Sequence, residues 1–309
     1  MTKQKPKPLE ILLKKGPANF RDIKLATGMT KKTAILKVLE LQAAGVPIDS
    51  YSDKKTFETY FYLAEKTNLR NAYNLNLKDG NYLFGATSDK HFGDDAFRLD
   101  YLLKAYDTYD DRGVECVFDC GDIITGISVY RGQHAELTHH TIHGQIDYVV
   151  DDHPALTDNK KTVLITGNHD LNDLLKSGDP GVIIERRRKD FEYIGQVNQV
   201  VKVANNMSFN LVHYKGSMPY ALSYRAQKYI RDGLKRGYEF SDVLLMGHKH
   251  IVMYALVQGV HAFECGTFQG VNRFAKERNL PNMIASWLIE VDIENGMLKK
   301  IKPELLLFE

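Results

Sequence analysis

Cysteine is scarce in this chain of 309 residues: Cys116, Cys120 and Cys265 form no CxxC pair and no even framework. That argues against a disulfide-stapled secreted scaffold and against a thiolate zinc site. Cys116 and Cys120 fall in an expected strand, where buried free thiols fit best, so a reducing, cytoplasmic setting is expected. Long apolar runs are missing as well. None approaches the roughly 20 residues that a membrane span needs, and no membrane partner is expected. The basic stretch Met1 to Pro8 leads into no apolar core of the signal-peptide kind. Internal repeats and low-complexity tracts are absent. Net charge is a modest +2, so the chain is no polycation taken whole.

What is present is unevenly placed. Residues 1–70 hold twelve Lys and two Arg against seven acids, a net +7, which leaves −5 for the remainder. A basic amino-terminal module joined to a mildly acidic one is expected if the first contacts a polyanion. The length suits two domains, and an apolar content of 43% supports a substantial core. Leu9 to Leu13 fit a short helix stopped by Gly16-Pro17, and Phe20 to Ala26 a second ended by Gly28. Thr30 is a suitable N-cap for a third helix through Leu41, stopped by Gly45. Val46 to Tyr51 and Thr56 to Leu63 alternate around Ser52-Asp53-Lys54-Lys55, a hairpin pattern. Three helices and a hairpin resemble a winged helix-turn-helix. Lys31, Lys32 and Thr33 open its third helix, where such modules read DNA. Protein docking or dimerisation is the competing use, and a solvated basic face is the bland one. Domains are expected at residues 1–68 and 81–309, with 69–80 as linker.

The rest of the chain is organised around Gly167-Asn168-His169-Asp170. This block follows Thr162 to Thr166, an apolar run that reads as a buried parallel strand. Open α/β sheets place their chemistry at such strand ends. Four other polar blocks arrive the same way: Asp89-Lys90-His91, Gly121-Asp122, His213, and Gly247-His248-Lys249-His250. Steps between Asp89, Asp122, Asn168, His213 and His248 are 33, 46, 45 and 35 residues. Each step can hold a crossover helix and a return strand, which together need roughly 30 residues, so the blocks can converge on one sheet edge.

What converges is oxygen and imidazole, with no thiolate. That donor set suits manganese, iron or zinc. It is too large for one ion and suits two ions sharing a carboxylate, the arrangement that clamps a phosphoryl group. The order D-x-H, G-D, G-N-H-D, H, G-H-x-H resembles the calcineurin-like metallophosphoesterases, over roughly residues 80 to 268. The resemblance implies an α/β fold, a four-layer α/β/β/α sandwich preceded by the small winged-helix domain. It implies two divalent transition-metal ions, manganese foremost. It assigns Asp89, His91, Asp122 and His250 to one ion and Asp122, Asn168, His213 and His248 to the other. His169 resembles the family's catalytic histidine and Asp170 the carboxylate that fixes its ring.

Around these blocks, Asp94 to Asp110 and Tyr130 to Val150 read as amphipathic helices. The second carries His134, His139, His140 and His143, which read as surface or substrate-edge residues. Arg186-Arg187-Arg188-Lys189 is expected to begin a helix. Tyr214, Tyr220, Tyr224 and Tyr229 read as packing more than base stacking. Val252 to Val257 with Val260 to Glu264, and Ile284 to Ile293 with Leu298 to Leu307, read as hairpins. The second pair turns on Asn295-Gly296. The functional expectation is a DNA-acting phosphodiesterase, a nuclease; homo-oligomers are compatible with it. The alternatives are a phosphatase or small-phosphodiester hydrolase with a protein-docking winged helix, and a non-catalytic DNA-binding accessory protein.

Overall fold

The computed structural model describes residues 8–43, 48–52, 58–63, 72–172, 174–214, 221–235 and 240–308. The chain divides into two compact units, Met1–Asn68 and Leu69–Glu309.

The first unit contains α1 (Pro8–Leu13), β1 (Ala18–Asn19), α2 (Phe20–Thr27), α3 (Lys31–Ala43), β2 (Ile48–Ser52) and β3 (Thr59–Leu63). Its three strands pair antiparallel in the order β1-β3-β2. Asn19 starts α2 through a capping box: its side chain accepts from the Asp22 amide while Asp22 accepts from the Asn19 amide. Gly28, at φ 71°, ends the helix in the left-handed conformation that glycine adopts without strain. Thr30 Oγ1 accepts from the Thr33 amide and caps α3. Ala34, Val38 and Leu41 recur at helical spacing and meet Leu9, Ile23, Ile48 and Phe61 in a small core. Lys31, Lys32 and Thr33 lie on the first turn of α3 and are exposed. The expected stop at Gly45 and the turn at Asp53 to Lys55 lie outside the described residues.

The second unit runs β4 (Tyr73–Asn74), β5 (Gly80–Thr87), α4 (Leu99–Arg112), β6 (Cys116–Asp119), α5 (Ile142–Asp152), β7 (Lys161–Thr166), α6 (Leu174–Ser177), α7 (Pro180–Arg187), β8 (Phe191–Gln196), β9 (Asn198–Ala204) and β10 (Met207–Val212). It continues through α8 (Tyr224–Lys235), β11 (Val243–Met246), β12 (Val252–Val257), β13 (Val260–Cys265), α9 (Arg273–Glu277), β14 (Ala285–Glu294) and β15 (Met297–Leu307). Two six-stranded sheets result, ordered β15-β14-β5-β6-β7-β8 and β12-β13-β11-β10-β9-β4. Strands β5 to β8 are parallel in the first. Strands β10, β11 and β13 are parallel in the second. Phe84, Phe118, Ile165 and Trp287 of one sheet meet Val201, Phe209, Leu245 and Phe263 of the other. The Phe118 and Phe209 rings stand 5.0 Å apart across this seam. Each fully buried side chain of this size contributes on the order of 1.5–3 kcal/mol. Helices α4, α5 and α7 cover the outer face of the first sheet through Leu102, Tyr106, Ile146 and Ile184. Helix α8 covers the second through Ala226 and Ile230. The layers are therefore α/β/β/α. Both faces of the parallel strands are buried, which is why they read as unbroken apolar runs.

Several expected elements are differently drawn. The helix expected over Asp94–Asp110 spans Leu99–Arg112, because the Asp94 carboxylate accepts from Ala96, Gln269 and Asn272 and holds the chain out of helical form. Only Ile142–Asp152 of the histidine-bearing stretch is α-helical, with a single 3-10 turn at Gln133–Glu136. Thr141 caps that helix by accepting from the Gly144 amide, so His134, His139 and His140 lie before it. The run Arg186 to Lys189 ends a helix instead of beginning one, since Asp179 and Pro180 already start α7. Tyr73 to Leu77, expected in a linker, join the second sheet: β4 pairs with β9, and the Leu75 and Leu77 amides donate to Lys202 and Val203. Tyr214 and Tyr229 pack edge-on at 5.6 Å, and Tyr220 lies outside the described residues. Among the described residues no helix is long and apolar enough to cross a membrane.

Candidate metal centre

Five parallel strands, β5, β6, β7, β10 and β11, end at one edge of the two sheets, and each delivers one polar block. The loop after β5 carries Asp89 and His91. Those after β6 and β7 carry Asp122 and Asn168-His169-Asp170. Those after β10 and β11 carry His213 and His248-Lys249-His250. The backbone is unusual at five of these positions. Asp89, His91, Asp122, His248 and His250 have φ of 51°, 55°, 54°, 91° and 54°. A non-glycine residue in that region costs on the order of 1–3 kcal/mol and persists where its surroundings over-determine it. Here the surroundings are one loop-to-loop mesh. Asp89 and His91 amides donate to the carbonyls of Gly121 and Asp122 at 2.9 and 3.0 Å. The His248 amide donates to Asp89 Oδ2 at 2.7 Å, and Thr267 Oγ1 donates to the Asp89 carbonyl at 2.6 Å. The glycines before the ligands are sites of close approach. A Cβ on Gly167 would stand 2.2 Å from Asp122 Oδ1, and one on Gly247 would stand 2.1 Å from Ser88 Oγ.

The side chains close on a common centre. Asp89, His91 and His250 offer donor atoms within 4.8 Å of one another, as do His91, Asp122 and His169, and as do Asp122, His213 and His248. Nε2 of His91 lies 3.1 Å from Nε2 of His250, which in turn lies 3.3 Å from Asp89 Oδ1. His213 Nε2 stands 3.0 Å from Asp122 Oδ2. Nδ1 of His213 sits 2.7 Å from the Cys120 carbonyl, and Nδ1 of His169 sits 2.7 Å from that of Thr125. Those acceptors place hydrogen on Nδ1, so each ring in its neutral form carries its lone pair on Nε2, facing the cluster. Asp89 Oδ1 and His213 Nε2 have their ion-pairing neighbours, His250 and Asp122, beside them, and Asn168 Oδ1 is buried with no hydrogen-bond partner. Orphaned buried acceptors are rare in folded proteins and need a partner. Divalent ions are such a partner, and this oxygen-and-imidazole set fits them.

Electrostatics divide the imidazoles: against burial, Asp122 raises His213 to about 9 and Asp89 raises His250, while two others are lowered. Burial works against charge on Asp122, but the His213 and His169 imidazoles outweigh it and hold this carboxyl below its usual range. Burial drives His91 down to about 4 and His248 down as well, which keeps these imidazoles neutral and able to ligate. Lys90, fully buried and between Asp89 and His91 in sequence, pairs with Asp119 and donates to Thr87 Oγ1 at 2.9 Å. Burial lowers this lysine to about 7. Asp119 also accepts from the Gly121 amide at 2.9 Å, so the pair ties the first two loops together.

All nine predicted site residues of this unit therefore meet at the strand ends. One predicted interaction is absent. Asp170 does not touch the His169 ring; its carboxylate accepts from the amides of Gly167, Asp122 and Ile124 at 2.7, 2.9 and 3.0 Å. The reason is its burial below the loop, where three unpaired amides of two turns are its nearest donors. Burial and the neighbouring Asp122 push Asp170 up to about 7, against those amides, which favour its charged form. The ring of His169 is held by the Thr125 carbonyl instead. Sequence reasoning also missed Asn282, whose Oδ1 stands 3.1 Å from His250 Nδ1. No local motif marks it. Lys90 was in view only as a spacer in D-K-H.

Residues 83–280 match the calcineurin-like phosphoesterase superfamily domain. The chain belongs to that superfamily. Membership in the calcineurin-like phosphoesterases implies divalent metal ions, and the three clusters at the strand ends are where side chains can hold them. Two curated relatives are DNA polymerase II small subunits. That of Methanothermobacter thermautotrophicus is 24% identical over 305 residues, 87% of this chain and 59% of its own length. That of Archaeoglobus fulgidus is 26% identical over 202 residues, 55% of this chain and 41% of its own length. The chain thus spans less than two thirds of the curated relatives it matches. Among solved structures, an archaeal phosphodiesterase is 17% identical with a TM-score of 0.41, covering 72% of this chain and 99% of its own. The phosphoesterase Yfce of E. coli is 13% identical with a TM-score of 0.39, covering 71% and 98%.

Proposed function

We propose that this chain is a two-metal phosphodiesterase that cuts DNA, brought to its substrate by an amino-terminal winged helix-turn-helix. The observation that carries the catalytic half is the convergence of Asp89, His91, Asp122, Asn168, His213, His248 and His250, with the buried acceptor Asn168 Oδ1 left unpartnered among them. In this reading Asp89, His91, Asp122 and His250 hold one ion, and Asp122, Asn168, His213 and His248 hold the other. Manganese is the first choice, with iron and zinc as alternatives. When bound, such ions supply hydroxide at neutral pH and neutralise charge on phosphoryl oxygens.

The chain's own residues do the rest. His169, whose Nδ1–H donates to the Thr125 carbonyl and whose Nε2 is turned toward the cluster, acts in its doubly protonated form: it gives the Nε2 proton to the leaving oxygen and keeps the one on Nδ1. The amide of His169 donates to Asp122 Oδ1 at 2.7 Å, so the acid and the shared carboxylate keep a fixed distance. Asp170 holds the turn that presents both. The shared carboxylate thereby has Oδ1 committed to the backbone, while Oδ2 stands 3.0 Å from His213 Nε2.

Support for DNA as substrate comes from the +7 charge of residues 1–70, the exposed Lys31, Lys32 and Thr33 at the start of α3, and the relatives' name, which ties them to DNA polymerisation. A second reading has the same name behind it: a small subunit acts beside a larger chain, and this protein then serves as an accessory whose centre is not used for cleavage. Purified chain with manganese, incubated with single-stranded DNA, duplex DNA and a chromogenic phosphodiester, separates the two. Cleavage of DNA that disappears in Asp122→Asn supports the nuclease. Metal binding with no turnover of any of the three substrates supports the accessory role.

A further inference from the structure

Asn282 lies in the segment between α9 and β14, 32 residues beyond His250. Its amide is pinned at both ends. Nδ2 donates to the Gln269 carbonyl at 2.7 Å, so Oδ1 is the atom that faces His250 Nδ1 at 3.1 Å. An amide oxygen can only accept, so the hydrogen between them belongs to His250 Nδ1, and the neutral ring then has its lone pair on Nε2. That Nε2 is the atom beside Asp89 Oδ1 and His91 Nε2. The backbone repeats the link, since the Met283 amide donates to the His250 carbonyl at 2.8 Å. His213 and His169 are held the same way, but by the main-chain carbonyls of Cys120 and Thr125. Of these three imidazoles, His250 takes its acceptor from a side chain, so its orientation is open to substitution.

We infer that Asn282 is a positioning residue of the metal centre: it sets the tautomer and ring plane of His250 and thereby the ion site formed with Asp89 and His91. This rests on the reading of that cluster as a metal centre. A partner of a ligating histidine is worth about 10–100-fold in metal affinity. Leucine at position 282 removes the acceptor at similar volume. Aspartate keeps an acceptor toward Nδ1 and loses only the bond to Gln269.

The test uses the full chain with manganese as the probe. Nitrogen-15 spectra of histidine-labelled protein before metal is added, recorded at a pH where the His250 ring is neutral, read its tautomer, and calorimetric titration reads the ions. We expect wild type with hydrogen on Nδ1 and two bound ions. Asn282→Leu should mix the tautomers and weaken one of the two binding steps by about 10–100-fold, with the other step unchanged. Asn282→Asp should restore the tautomer and most of the affinity. Far-UV circular dichroism checks folding, and Asn282→Ala replaces the leucine variant if that does not fold. A leucine variant with wild-type tautomer and affinity overturns the inference, as does an aspartate variant as weak as the leucine one. Should wild type bind no manganese, the metal reading falls by itself. The tautomer comparison then decides: mixed tautomers in Asn282→Leu uphold the positioning role, and unchanged His250 signals overturn it.

Discussion

The two units put their chemistry on opposite kinds of support. In the second, the candidate side chains at the strand ends are buried or half-buried and sit on left-handed backbone at five positions. In the first, Lys31, Lys32 and Thr33 are exposed on the regular first turn of a helix. Strain and burial have to be compensated by many neighbours, so a centre built that way fails sharply when one group is changed. A surface charge works through a screened field and fails gradually. The contrast orders the expected effects of substitution.

Asp122→Asn is expected to be the most damaging. It weakens the shared ligand and the partner of His213 at once. Hydrolysis should fall by about 1000-fold, the scale of losing a group that stabilises developing charge. Elemental analysis should find one ion per chain or fewer. Two ions and full activity in this variant would show that Asp122 is not the shared ligand.

His169→Ala is expected next. Its metal content should stay normal, while hydrolysis of esters with poor leaving groups slows by about 100-fold. Activated aryl esters need less protonation and should suffer less. An equal loss on both classes would show that His169 is not the acid.

Gly167→Ala probes the support and leaves every ligand in place. The new Cβ would meet Asp122 Oδ1 at 2.2 Å and its backbone nitrogen at 2.6 Å. Overpacking of this kind costs about 1–3 kcal/mol. A thermal melt should show a Tm lower by several degrees, with weaker metal binding. An unchanged Tm would mean that the loops yield more readily than their hydrogen bonds suggest.

Lys31→Glu with Lys32→Glu should give the smallest change, and in another observable. DNA affinity should weaken, and its salt dependence should flatten by about one unit of slope for each phosphate no longer gripped. The rate on a small phosphodiester should not move. Unchanged DNA affinity would turn the first unit from DNA binding toward protein docking.

Much of the second unit was legible along the chain. Each ligand block follows an apolar run, because parallel strands covered on both faces can carry little else, and the first polar residues after such a run fall at the sheet edge. The hairpins at Gln258-Gly259 and Asn295-Gly296 were legible for a local reason too: left-handed turn residues punctuate them. Strands β8 and β9 were not anticipated. The chain passes from one sheet to the other at Val197, at φ 41°, and the flanking Gly195 and Asn198 stand singly among residues that give no clear alternation on either side. Tyr73 to Leu77 looked like a linker because their apolar residues are few and interrupted by asparagine; pairing with β9 recruits them all the same.

Residue types and their order along the chain sufficed to say which side chains meet at the centre, because strand ends are local events repeated at regular intervals. How those side chains are held depended on neighbours distant in sequence. Asp170 was next to His169 in the chain, yet beyond the Gly167 amide of its own loop its partners are amides of another loop, 46 to 48 residues away. Asn282 reaches His250 from a segment with no motif at all. Short-range pattern records what a strand must bury; a hydrogen bond between loops depends on where the packed sheets bring those loops, and only the tertiary structure decides that.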